Sequence, residues 1–188
     1  MRRTMMLSTF AVAVAAALVM VAAAGGNRGR GNDDGGAKRA TKRAAVTVFD
    51  LRLRPRQEVP RIEGLRADAD GDLTLDVTRD SAGAITSGDV VFYFNYDFPG
   101  SVTITGLHVH LGKKGTNGAI VVDSGVAAFT DADGDGNVTA VVTSASPATL
   151  QAILDKPRDY YVNLHTSVNP TGALRDQLRT SNKRKHDD

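Results

Sequence analysis

Two histidines one residue apart carry the sharpest chemical signal in this chain. They stand in Gly106-Leu107-His108-Val109-His110, where aliphatic residues and histidines alternate. In an extended strand, residues two apart project to the same face, about 7 Å apart along the chain. His108 and His110 therefore point together, and that spacing lets two imidazoles grip one ion. A third histidine, His165, ends another strand-like run, Tyr160-Tyr161-Val162-Asn163-Leu164-His165. Three neutral imidazoles suit Cu2+ or Zn2+. One reading is a copper or zinc centre built from His108, His110 and His165, which requires the two strands to be neighbours. Imidazoles more than about 8 Å apart would exclude it, because ligand atoms sit about 2 Å from the ion. The competing reading leaves the rings hydrogen-bonded or solvated on a half-polar face. His186 lies in the charged tail and enters neither reading.

A second pattern concerns calcium. Asp131, Asp133 and Asp135 with Gly136 reproduce the opening positions of a calcium-binding loop. The bidentate glutamate expected at the twelfth position is replaced by Val142, and the flanks read as strands rather than paired helices. The run Asp68-Ala69-Asp70-Gly71-Asp72 repeats the flavour, with its glycine one place early. The competing reading is an acidic hairpin turn, where Asp and Gly serve backbone geometry.

Other chemistry has little support. The chain contains no nucleophile elbow, no phosphate-binding Gly-rich loop before a helix and no zinc-protease helix motif. It has no cysteine, so disulfides, thiolate metal sites and thiol nucleophiles are excluded. A binding or structural module is therefore expected in preference to an enzyme.

The elements that must position these residues belong to one domain. Residues 1–24 read as a secretory signal peptide: Arg2 and Arg3, an apolar run from Met5, then Ala22-Ala23-Ala24. An uncleaved membrane anchor is the alternative, and either places the protein outside the cell or in its envelope. Residues 25–43 are Gly-rich and charged and cannot bury enough surface to offset chain entropy. The tail 180–188 reads the same way. The folded domain is then 44–179. The net charge of +2 conceals an asymmetry. Residues 44–178 carry 11 basic and 17 acidic residues, so an acidic domain sits between basic ends. That balance argues against nucleic acid as its partner and leaves an extracellular protein or polysaccharide. Membrane contact is expected only through an uncleaved signal.

Within the domain, short β runs alternate with turn signals. The runs include Val46–Leu53, Leu73–Val77, Asp89–Asn95, Val102–Leu111, Ala119–Val122, Val138–Thr143 and Tyr160–His165, with Ala173-Leu174 and Leu178 closing the domain. Ser146-Pro147 followed by Leu150, Ile153 and Leu154 predicts a capped short helix near 147–155. The fold expected is an all-β antiparallel sandwich or open barrel of about eight or nine strands with one helix.

Several motifs in order carry a family resemblance. They are Gln57-Glu58-Val59-Pro60, His108-Val109-His110-Leu111-Gly112 and Gly118-Ala119-Ile120-Val121, followed by Tyr161-Val162-Asn163-Leu164-His165-Thr166 and Asn169-Pro170-Thr171-Gly172-Ala173-Leu174-Arg175-Asp176-Gln177-Leu178. Together they resemble the CHRD (chordin) domain of the secreted bacterial type over about residues 46–179. The family also occurs in an animal antagonist of growth factors. Asp176, where the family more often has glycine, and the acidic insertion at 131–136 depart from its pattern. The resemblance implies a β-sandwich-like domain and no settled activity. The Gly-Leu-His-Val-His stretch is also similar to the copper-ligand strand of Cu/Zn superoxide dismutases. The bridging histidine, zinc ligands and disulfide of those enzymes have no counterpart here. Arg175 reads as structural, a partner for one of the domain's carboxylates. The function expected is a CHRD-type binding or structural module, with a copper- or zinc-binding protein of weak redox activity as the alternative.

Overall fold

The computed structural model describes residues 42–179. The signal-like segment 1–24, nearly all of the basic linker and the tail 180–188 lie outside the described residues. The described chain forms nine strands. They are β1 (Arg43–Leu53), β2 (Asp68–Arg79), β3 (Ile85–Asp97), β4 (Val102–Leu111), β5 (Ile120–Asp123), β6 (Phe129–Asp131), β7 (Asp135–Val142), β8 (Tyr160–Thr166) and β9 (Leu174–Gln177). One sheet has the order β1-β2-β3-β7. The other has the order β5-β4-β8-β9, with β6 also paired to β4. Every pairing is antiparallel. The result is the all-β sandwich that the alternation predicts.

The core follows from that alternation. Leu73, Leu75 and Val77 of β2 and Val90, Phe92 and Phe94 of β3 turn inward from the first sheet. Ile104, Leu107, Val109, Val162, Leu164 and Leu174 answer them from the second. Burying each such side chain stabilises the fold by about 1.5–3 kcal/mol. Helix α1 (Pro147–Asp155) adds Leu150 and Ile153 to the core, and the Ser146 hydroxyl accepts a hydrogen bond from the Thr149 N–H at 3.4 Å. This is the helix expected from the cap and the proline at its first turn. Among the described residues, no helix is long and apolar enough to cross a membrane.

Three details differ from the sequence reading. Strand β1 begins at Arg43, opposite Arg79, one residue inside the segment read as linker. Strand β6 carried too few residues to be read. The run Asp68–Asp72 opens β2 rather than forming a loop. Two of its three charges are paired there, Arg54 lying 2.7 Å from Asp68 and 3.3 Å from Asp70.

Two irregularities matter for the site. The pairing of β4 with β8 shifts register between Ile104 and Gly106, which leaves Thr105 as an extra residue. Val102 and Ile104 face the core before the bulge; Leu107 and Val109 face it afterwards. Gly106, His108 and His110 are thereby turned to the outer face of the second sheet. Beyond β1, Arg54 and Arg175 exchange backbone hydrogen bonds of 3.0 and 3.4 Å, a seam joining the two sheets along one side.

Candidate metal centre

The register between β4 and β8 brings the three histidines together. Gly106 stands opposite His165, His108 opposite Asn163, and His110 opposite Tyr161. Since residues two apart share a face, all three imidazoles project from the outer face of one sheet. One donor nitrogen from each ring lies within 4.8 Å of those from the other two. The neighbouring-strand condition set by the sequence is met.

Hydrogen bonds fix which nitrogen of each ring is free. Nδ1 of His110 lies 3.0 Å from the Gly118 carbonyl oxygen, and Nδ1 of His165 lies 3.0 Å from that of Pro170. A carbonyl only accepts, so both Nδ1 atoms carry the proton. In the neutral rings, each Nε2 then presents a lone pair. These two Nε2 atoms face each other at 3.4 Å. For His108, the Asp123 carboxylate sits 3.3 Å from Nε2 and favours a proton there. Its Nδ1 is buried with no hydrogen-bond partner.

Burial is the first cause that lowers the pKa of all three histidines, opposed by Asp123 at His108 and by the carbonyl hydrogen bonds at the other two. The His108 imidazole and then Arg175 depress His110 further. The rings are thus neutral donors around neutral pH. Tetrahedral bonds of about 2.0–2.1 Å would set two ligand nitrogens about 3.3 Å apart, close to the separation of the facing Nε2 atoms. His108 stands on the side of Asp123, where its side chain remains 15% exposed. The absence of a side chain at Gly106 makes room for the His108 ring, since a Cβ there would lie 2.7 Å from its Cε1.

A buried polar layer backs the histidines. Tyr161 stacks on His110 with ring centroids 4.9 Å apart and also lies beneath the Arg175 guanidinium, whose Cζ is 3.4 Å from the ring centroid. The carboxylate partner expected for Arg175 is not what the structure provides, since no carboxylate oxygen among the described residues lies within ion-pair distance of it. Instead its guanidinium donates to the carbonyls of Lys113 (3.2 Å) and Thr116 (2.8 Å) and to Asn117 Oδ1 (3.0 Å). The loop after β4 is thereby clamped over the sheet, and its glycine carbonyl is set for His110. Gly118 itself is confined by a close approach, since a Cβ there would meet the Leu111 carbonyl oxygen at 1.5 Å.

Sequence reasoning gave no role to Glu58 and Asn163. Asn163 Nδ2 donates to Glu58 Oε2 at 3.4 Å, while Glu58 Oε1 and Asn163 Oδ1 are buried without partners. Burial pushes the Glu58 carboxyl up to about 7, against the lowering pull of Arg175 and Asn163. The signal lay in the Gln-Glu-Val-Pro motif, which was used only as a family marker.

Two aspartates of the acidic turn, Asp131 and Asp133, are occupied locally. Asp131 Oδ2 accepts from the Tyr96 hydroxyl at 2.6 Å, and its Oδ1 accepts from the N–H groups of Asp133 and Gly134, each at 3.3 Å. Asp133 Oδ1 caps the Asp135 N–H at 3.4 Å. This is the geometry of a turn held by its own side chains.

No curated protein and no solved structure matches the chain in comparison. A family model does match, the one described as the CHRD domain, over residues 49–178. That stretch begins in β1 and ends just after β9, taking in both sheets, Glu58, the three histidines and Arg175. The chain therefore belongs to the CHRD domain family.

Proposed function

We propose that the protein is an exported CHRD-type binding module that holds one copper or zinc ion through His108, His110 and His165. A single observation carries this reading. Two buried Nε2 atoms, with their Nδ1 protons committed to backbone carbonyls, face each other at 3.4 Å. Two lone pairs at that distance repel unless a cation lies between them, and their low basicity makes a proton a poor occupant. The unpartnered Nδ1 of His108 is the third donor. Imidazole donors suit copper and zinc over calcium or magnesium. Export is supported by the signal-like character of residues 1–24.

Elemental analysis of the purified protein, stripped of metal and then exposed in turn to Cu2+, Zn2+ and Ca2+, tests the reading. One equivalent of copper or zinc, lost in a His108→Ala/His110→Ala variant of unchanged circular dichroism, is expected. No bound copper or zinc in the parent protein would reject the centre. Calcium retained equally by both proteins would instead favour the Asp131–Asp135 turn.

A further inference from the structure

A groove on the seam side of the sandwich has a charge opposite to that of its domain. Its volume is about 1160 Å3, and it opens over Glu58, Arg175 and Gln177. Seven of the eleven Lys and Arg residues in 44–178 line it, against five of the seventeen Asp and Glu residues, and Arg179 is an eighth cation. An acidic domain has thus gathered most of its positive charge in one concavity.

Three of these cations are unspent. Arg52 and Arg54 lie beside Asp70, Arg61 beside Glu63, and Arg179 beside Asp176. Arg56, Lys114 and Arg158 are exposed, and among the described residues none has a carboxylate within 4.0 Å. They come from three separate connections: the 3-10 turn Pro55–Gln57, the loop after β4, and the 3-10 turn Pro157–Asp159. Convergence of unpaired cations from distant parts of the chain costs electrostatic self-repulsion, which an anionic ligand would relieve.

The remaining lining narrows the ligand class. No aromatic residue lines the groove, so it offers no platform for nucleic-acid bases. Asp50 and Asp72, directly opposite each other on β1 and β2, would repel a continuous phosphate chain but can accept hydroxyl hydrogens. Gln57 adds an amide. Separate anion-binding and hydroxyl-binding groups suit a sugar chain bearing spaced carboxylates or sulfates. The volume exceeds the roughly 1,000 Å3 upper range of single small-molecule pockets, which fits a segment of an oligomer.

We infer that this groove binds an acidic oligosaccharide, with Arg56, Lys114 and Arg158 taking its carboxylate or sulfate groups. The inference is independent of the metal centre. The test uses the full chain, with oligogalacturonate and sulfated dextran as probes and neutral dextran and oligodeoxythymidine as comparators, at about 0.15 M salt. Arg56→Glu/Lys114→Glu/Arg158→Glu should weaken acidic-glycan binding by about tenfold or more. The tail variant Lys183→Glu/Arg184→Glu/Lys185→Glu makes the same change in net charge and should shift it by no more than about twofold. Preference for the uronate or the sulfate probe would assign the anionic group. Should the groove triple fail to fold, Arg56→Ala/Arg158→Ala is to give a smaller loss in the same direction. Equal losses in groove and tail variants, no binding to either acidic glycan, or tighter binding of oligodeoxythymidine would overturn the inference.

Discussion

A hydrogen bond to a carbonyl decides what an imidazole can do next. With Nδ1 of His110 and His165 held by Gly118 and Pro170, the Nε2 atoms are left as donors for a cation. Replacing either His110 or His165 by Ala should therefore weaken copper or zinc binding by at least about 100-fold, since even residues that only support ligands are worth about 10–100-fold. Isothermal titration would measure it. The pH behaviour of the metal-free protein is set by two opposing groups of side chains. The histidines' folded pKa values lie below 6.5, so they contribute stability above that pH and lose it as pH falls below 6.5. Glu58 goes the other way: raised from 4.5 to about 7, it contributes stability at low pH that is lost as pH rises through 7. Between about pH 6.5 and 8 the two effects oppose each other, so Glu58 is isolated by difference: over that window the metal-free parent should lose about 1 kcal/mol relative to Glu58→Gln. Urea denaturation with chelator present checks both. The histidine pair was legible because strand parity alone aligns it. Glu58 was not, because it lies outside the strands and no periodicity tells that a lone carboxyl beside a proline is buried.

Strand β4 serves two masters through its bulge. Before Thr105 and after it, apolar residues face the core, yet the extra residue aligns Gly106 with His165 and lets the histidines share the outer face. Alternation in the sequence showed both halves of β4, and its apolar positions pass from even (102, 104) to odd (107, 109), the parity change that a bulge leaves, but that pattern does not tell which strand the extra residue faces. That β4 and β8 are partners was likewise invisible, because pairing of strands some fifty residues apart rests on tertiary packing. The helix was legible for the converse reason: its cap, proline and apolar face are all local. Gly106→Ala provides a probe of the bulge. Its Cβ would displace the His108 ring, so metal affinity should fall by about tenfold or more while urea stability changes little. Unaltered zinc affinity in that variant would mean that His108 does not complete the centre.

Across the whole molecule, Arg175 links the seam, the polar layer and the loop that holds His110. Its side chain is 2% exposed, and three oxygens depend on it. Arg175→Met should cost about 2 kcal/mol, because three hydrogen bonds donated by a buried guanidinium to the exposed loop are lost. Arg175→Lys should recover little, since an ammonium cannot reproduce a planar donor stacked on Tyr161. The midpoint of urea unfolding separates the two. Strand β8 adds a different consequence. Every residue from Tyr160 to Thr166 is buried, because one face meets the core and the other meets the polar layer. Amide hydrogens on such a strand exchange with solvent only when the domain opens as a whole. The N-terminal half of β1, exposed along most of its length, should exchange through small local fraying instead. His165 is thus anchored in the part of the protein that should exchange slowest, so a centre of the kind proposed would have to load and release its ion without the domain unfolding.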